Sequence, residues 1–93
     1  MAHEALWKIG MSLQEHQRQT RATAVLRGPA GEHRAVGLAW RDPDDEPVPA
    51  IGRSLAGGRA LLELAQQLFE DARRAGAAPA ATAVPDVSRV PAG

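Results

Sequence analysis

The sequence contains no cysteine, few aromatic residues and no net charge. The lack of cysteine excludes a disulfide framework, a thiol nucleophile, a thiolate zinc site and a cysteine-ligated iron–sulfur cluster. Eleven basic residues are balanced by eleven acidic ones, which argues against a polybasic nucleic-acid tail and against strong attraction to an anionic membrane. The aromatic residues are Trp7, Trp40 and Phe69.

Long apolar runs are also absent. No segment approaches the roughly 18 apolar residues of a membrane span, and the N-terminal residues lack the basic start and apolar stretch of a signal peptide. We therefore expect a soluble cytoplasmic protein with no membrane association. A chain of 93 residues forms one domain with a small core, so a partner chain would add stability.

Three segments in the first half alternate apolar with polar or small residues, which is typical of half-buried strands. They span residues 6–14, 20–27 and 33–41. A polar turn at 15–19 and a strong turn signal at 28–31, Gly-Pro-Ala-Gly, separate them. The short connections favour an antiparallel meander.

A helix is predicted over residues 51–74, after a loop at 42–50 that carries three prolines and four acidic residues. The helical stripe predicted to face the sheet is Ile51, Leu55, Gly58, Leu62, Ala65, Phe69 and Ala72. Gly57 and Gly58 either allow close packing on the sheet or break the helix in two, and Gly76 is suited to cap its end.

These elements predict an α+β fold, a three-stranded antiparallel β-meander packed on one C-terminal α-helix. Residues 5–75 form the single β-β-β-α domain. Residues 76–93 are rich in alanine and proline and have no usable periodicity, so we expect a disordered tail.

The larger apolar residues of each strand are expected to face the helix. The predicted inner face holds Trp7, Ile9, Met11, Leu13, Ala22, Ala24, Leu26, Val36, Leu38 and Trp40. The predicted outer face holds Lys8, Gly10, Ser12, Arg21, Thr23, Val25, Arg27, Ala35, Gly37, Ala39 and Arg41. An error of one residue in the register of any strand would exchange the two sets for that strand.

The predicted outer face carries basic groups and no acidic ones. Its cations are Lys8, Arg21, Arg27 and Arg41. Such a face can lie against a phosphate backbone or a second sheet, or it can simply be solvated, and the sequence leaves these alternatives open. Binding to RNA through these cations would depend strongly on salt.

Leu61, Leu64 and Leu68 lie beside the predicted sheet-facing stripe and widen the apolar arc of the helix. One sheet buries about 100° of a helix, so the excess indicates a partner surface, most simply that of a homodimer. The alternative is that the loop or the tail covers these leucines.

Motifs for catalysis and for cofactor binding are incomplete. The segment around Ser54 lacks the glycine two positions later that a nucleophile elbow requires, and it lacks the lysine of a phosphate loop. The acidic loop has Pro47 where a calcium loop needs glycine, and the histidines have no metal-ligand spacing. We expect no enzymatic activity, no metal site, no cofactor and no small-molecule substrate.

Sequence elements spread over residues 6–72 are similar to a known family. They include Glu15-His16, Thr20-Arg21-Ala22 and Val48-Pro49-Ala50-Ile51-Gly52. In these elements the chain resembles a family of small actinobacterial proteins of unknown function with a fold like the double-stranded-RNA-binding domain, the dsRBFP-like family of conserved hypothetical proteins. The resemblance implies the β-β-β-α fold and a small homodimer.

The resemblance also bears on function. By fold analogy with ribosome-hibernation factors it implies a stress or dormancy role through contact with the ribosome or structured RNA. The family usually has arginine where Trp40 stands, which weakens the RNA interpretation. The two resulting hypotheses are a non-enzymatic stress-associated ribosome- or RNA-binding factor and a homodimeric protein-interaction module with no nucleic-acid role.

Overall fold

The three strands of the sheet are neighbours in chain order, and one helix packs on one side of them. The computed structural model describes residues 3–29 and 31–76. Its elements are β1 (Lys8–His16), β2 (Gln19–Gly28), β3 (Gly31–Trp40) and α1 (Pro49–Arg74). This architecture confirms the predicted antiparallel meander with a C-terminal helix. The predicted tail lies outside the described residues, apart from Gly76.

Two tight turns set the register of the sheet. Gly28 pairs with Gly31 where β2 turns into β3, and Gly31 has a φ of 138°, which glycine adopts without a steric penalty. His16 pairs with Gln19 at the other turn. Because directly paired residues point to the same face, these two closures determine which residues face the helix along all three strands.

The core between α1 and the sheet is built mainly from small residues. Its members are Ala22, Ala24, Leu26, Ala35, Ala39, Ala56, Ala60 and Leu64. A Cβ atom on Gly37 would lie 2.1 Å from the carbonyl oxygen of Ala56 and 2.4 Å from the amide nitrogen of Ala60. The backbones of α1 and β3 therefore approach contact, and larger side chains have no room between them.

The predicted facing of β3 is wrong by one residue. Because Ala24 pairs with Ala35, and Ala22 with Gly37, the residues of β3 that face α1 and are buried are Ala35, Gly37 and Ala39. The residues that point away from α1 are Val36, Leu38 and Trp40, and all three are exposed. The prediction followed side-chain size, whereas the close approach of the helix selects the smallest side chains.

The predicted facing of α1 is also wrong. Its buried residues are Ala56, Gly57, Ala60 and Leu64. The predicted stripe is largely exposed, by 58 % at Ile51, 61 % at Leu62 and 57 % at Phe69. At 100° per residue these three positions lie about half a turn from Ala60. The stripe therefore faces away from the sheet.

The helix is continuous through its two glycines and ends as the sequence predicts. Gly57 is buried, and a Cβ atom there would lie 3.2 Å from Met11 Sδ, so this glycine serves close packing, and the pair does not break the helix. Gly76 has a φ of 101° and donates its N–H to the carbonyl of Arg73, which confirms its capping role. In the part of the chain that the structure describes, no helix is long and apolar enough to cross a membrane.

Candidate functional site

The sheet face opposite α1 is covered by no described element, and we call it the outer sheet face. Strand pairing arranges it in five rows of three residues. The rows are Lys8–Arg27–Glu32, Gly10–Val25–Arg34, Ser12–Thr23–Val36, Gln14–Arg21–Leu38 and His16–Gln19–Trp40. The face thus combines cations near one end with an apolar column along β3.

The structure brings three of the four predicted cations together on this face. Lys8, Arg21 and Arg27 lie on it, whereas Arg41 follows the end of β3 and turns to the loop, where its Nη1 donates to the carbonyl of Asp45 at 2.7 Å. Arg34 takes the place of the fourth cation. Arg34 was not predicted to lie on this face, because β3 was expected to present its other side here.

The outer sheet face also carries an acidic residue, which contradicts the predicted absence of acids. The carboxylate of Glu32 lies 3.5 Å from Arg27 Nε and 3.4 Å from Arg34 Nη2. All three side chains are exposed, so these ion pairs add little stability. Their effect is to lower the net positive charge at this end of the face.

A second uncovered surface lies on the helix side of the sheet. The helix packs over β2 and β3 and barely contacts β1, which leaves Ile9, Met11 and Leu13 exposed by 55 %, 37 % and 42 %. Gly57 faces Met11, because a Cβ atom on Gly57 would lie 3.2 Å from Met11 Sδ, and Leu61 and Leu68 follow Gly57 by one and three helical turns on the same side. We call the surface formed by Ile9, Met11, Leu13, Leu61 and Leu68 the open β1 face.

The three leucines predicted to form a dimer interface have different environments. Leu64 is 2 % exposed and belongs to the core, so its predicted place in an interface is wrong. Leu68 is partly buried against the core, and Leu61 is 45 % exposed. Leu61 is therefore the one of the three that is largely available to a partner.

The two edges of the sheet differ. Arg59 Nη1 donates to the carbonyl of Leu38 at 2.7 Å, and Gln67 Nε2 donates to the carbonyl of Arg34 at 2.8 Å. These side chains of α1 cover the edge of β3 and obstruct the pairing of another strand there. β1 pairs with β2 alone among the described strands, which leaves its outer edge available.

A cleft of about 450 Å³ lies where the end of the sheet, the loop after β3 and the first turn of α1 meet. Thr20 lines it and is 9 % exposed, and a Cβ atom on Gly52 would lie 2.8 Å from Thr20 Oγ1. At the rim, Arg53 Nε donates to the carboxylate of Glu15. That hydrogen bond and the charge of Glu15 raise the pKa of Arg53 above its usual value.

The cleft is formed by the sequence elements on which the family resemblance rests. The segment 15–22 supplies Glu15 and Thr20, and the segment 48–52 supplies Gly52. Sequence spacing gave no sign of this meeting. Among residues 3–29 and 31–76, no three histidine, aspartate or glutamate side chains are grouped to hold a metal ion.

Comparison with known proteins gives consistent matches. The profile of the Rv2632c-like family matches residues 5–85. The chain is 48 % identical over 62 residues to the uncharacterized protein Rv2632c of Mycobacterium tuberculosis, with 67 % of each chain covered. It is 41 % identical over 64 residues to the uncharacterized protein Mb1767 of Mycobacterium bovis, with 69 % of this chain and 68 % of that one covered.

A solved structure is similar as well. The crystal structure of Rv2632c superposes with a TM-score of 0.68 and 38 % sequence identity. The superposition covers 91 % of this chain and 96 % of the other.

Proposed function

This chain belongs to the Rv2632c-like family, and from that premise we propose that it is a non-enzymatic protein-interaction module that acts as a homodimer. The observation that supports the proposal best is the open β1 face. There the helix leaves three large apolar residues of β1 uncovered on the side of the sheet that normally forms the core. A surface of this kind marks an interaction site.

A second copy of the chain fits the open β1 face. A two-fold axis perpendicular to the sheet would pair the outer edges of two β1 strands in antiparallel orientation. Both helices would then lie on the same side, and Ile9, Met11 and Leu13 of each copy would be enclosed between them. The zero net charge of the chain places no long-range repulsion between the copies.

Two variants that place a negative charge on opposite faces of β1 test the proposed dimer. Ile9→Glu places a carboxylate in the open β1 face, where Ile9 is already 55 % exposed, so the folded monomer tolerates it. Ser12→Glu adds the same charge to the same strand on the outer sheet face and is the matched control. Sedimentation equilibrium is expected to show dimers for the parent and the control, and association at least about tenfold weaker for Ile9→Glu.

Circular dichroism checks that both variants are folded. Equal association of Ile9→Glu and Ser12→Glu, or a parent chain that stays monomeric at every concentration, would contradict the proposed dimer.

The outer sheet face favours a second candidate, a stress- or dormancy-associated factor that binds the ribosome or structured RNA. Lys8, Arg21, Arg27 and Arg34 can contact phosphates from one open face. Trp40, which is 70 % exposed on the same face, can stack on an unpaired base. The double-stranded-RNA-binding-domain-like fold expected from the sequence belongs to this candidate.

Co-sedimentation with ribosomes at low and at physiological salt tests the second candidate. The double variant Arg21→Glu/Arg27→Glu is expected to abolish binding, because it removes two phosphate contacts and places two negative charges against the phosphates. Each lost contact is also expected to reduce the steepness of log affinity against log salt concentration by about 0.7–0.9. Arg73→Glu/Arg74→Glu makes the same charge change at the end of α1 and serves as the control. Binding that survives in the sheet variant would rule out the outer sheet face as the RNA site.

A further inference from the structure

Apart from Trp40, which also lines it, the cleft at the start of α1 takes part in neither proposed function. It is built from a single chain, at the end of the sheet where β1 turns into β2. From its geometry we infer that it binds a small molecule that carries a carboxylate on an apolar body. Three features of the cleft support this assignment.

The first feature is a hydroxyl group without a protein partner in the part of the chain that the structure describes, carried by a buried residue that lines the cleft. Thr20 is the polar residue among the buried positions, at 9 % exposure. None of the side-chain hydrogen bonds among the described residues involves its hydroxyl. Every inaccessible side-chain polar atom of those residues does have a partner, so Thr20 Oγ1 keeps some access to solvent. It lies close to Gly52, and both residues line the cleft. A ligand oxygen there would satisfy it.

The second feature is a positive electrostatic environment near that hydroxyl. α1 begins at Pro49 with no side-chain cap and no acidic residue in its first turn, so no capping side chain or first-turn carboxylate offsets the positive end of the helix dipole. Arg18 lines the cleft, and its guanidinium does not lie within ion-pair distance of a carboxylate of the described residues. Arg41 also lines the cleft, but it is held on the loop side by the carbonyl of Asp45.

The carboxylates that line the cleft determine where an anion fits. Glu15 is neutralised by Arg53. Asp45 and Glu46 lie on the loop side of the cleft. A ligand carboxylate therefore binds beside Thr20 and Gly52, away from the loop.

The third feature is an apolar lining of suitable size. Val48, Ile51 and Leu55 line the cleft and are 47 %, 58 % and 46 % exposed. The volume of about 450 Å³ lies within the range of roughly 300–1,000 Å³ that is typical of small-molecule sites. Apolar ligand atoms would cover these three side chains.

The test uses two probes with the same phenyl-alkyl body and different end groups, a carboxylate in one and a neutral hydroxyl in the other. The full-length chain, labelled with ¹⁵N, is titrated with 4-phenylbutyrate and, separately, with the neutral 4-phenyl-1-butanol, and amide shifts are followed by NMR. We expect saturable shifts at Thr20, Ala50 and Gly52 and none at Gly28 and Gly31, at the opposite end of the sheet. The carboxylate is expected to bind about tenfold more tightly than the alcohol, since a charge-assisted hydrogen bond replaces a neutral one.

Two variants assign the binding to the cleft. Thr20→Val keeps the shape of the side chain and removes the hydroxyl, so 4-phenylbutyrate is expected to bind about threefold to tenfold more weakly. Ser54→Ala removes an exposed hydroxyl that does not line the cleft and is expected to change nothing. The amide spectra themselves show whether each variant is folded.

The proposal is overturned by an absence of saturable shifts in the millimolar range, by equal affinity for the two probes, or by unchanged affinity in Thr20→Val. Sedimentation measures the dimer independently, so failure of the cleft leaves the proposed interaction module unaffected.

Discussion

At the scale of single residues, Gly37 decides how closely the two layers pack. Its missing side chain lets the carbonyl of Ala56 and the amide of Ala60 come directly over β3. Gly58 is the matched control position, because it lies on α1 but faces solvent. A Cβ atom at Gly58 would have no packed neighbour within 4 Å among the described residues. The two glycines therefore have opposite sensitivities to a methyl group.

Gly37→Ala is expected to lower the free energy of unfolding by about 2–3 kcal/mol, because the backbone of α1 must move to admit the new Cβ atom. Gly58→Ala is expected to raise it by about 0.5–1 kcal/mol, because alanine favours the helix more than glycine does. Urea unfolding measures both. A Gly37→Ala protein as stable as the parent would contradict the close approach of the layers.

The sequence predicted some of these residue environments and missed others. Gly76 could be assigned as a helix cap because that role depends on local backbone conformation. Arg53 lies near the positive end of the helix dipole, where a cation is disfavoured, but Glu15 compensates it from a position 38 residues earlier in the chain. Such a pair depends on how the strand end and the helix start come together, which local reasoning cannot supply.

At the scale of elements, sequence periodicity located the three strands and the helix but not their facing. The turn at 28–31 contained the missing information, since closure between Gly28 and Gly31 places Ala35 beside Ala24 on the helix side. Side-chain size pointed the other way and selected Val36. The facing of the helix was mispredicted for the same reason. A sheet face that consists mainly of alanine and glycine packs best against the small residues Ala56 and Ala60.

Two leucines in the middle of α1 test the observed facing. Leu64→Ala is expected to cost about 2–5 kcal/mol of unfolding free energy, because Leu64 is buried against the sheet and its loss leaves a cavity. Leu62→Ala, at a position 61 % exposed, is expected to change stability by less than about 0.5 kcal/mol. Thermal or urea unfolding of the pair compares them, and the reverse order would restore the facing inferred from the sequence.

At the scale of the whole molecule, the protein is asymmetric about its helix. One edge of the sheet is covered by Arg59 and Gln67, whereas the β1 side is apolar and open. The excess of apolar residues on the helix predicted that a partner surface exists, but its position depended on the facing of α1. Because that facing was inverted, the expected interface included Leu64, which is part of the core.

The proposed dimer makes a further prediction at this scale. If folding and association are coupled, the melting temperature rises with protein concentration by mass action. Ile9→Glu is expected to remove this dependence, while Ser12→Glu keeps it. Differential scanning calorimetry over a hundredfold range of protein concentration measures this dependence, because that range changes the free energy of association by about 2.7 kcal/mol. A constant melting temperature of the parent chain would argue against coupled folding and association.

The near contact between α1 and β3 also makes the molecule stiff. The helix cannot slide or tilt over Gly37 without forcing backbone atoms together. Strand and helix on either side of the open β1 face are consequently held at a fixed separation before any partner arrives. The proposed association would then cost little conformational entropy, and the match of a partner's shape to this rigid surface would decide which partner binds.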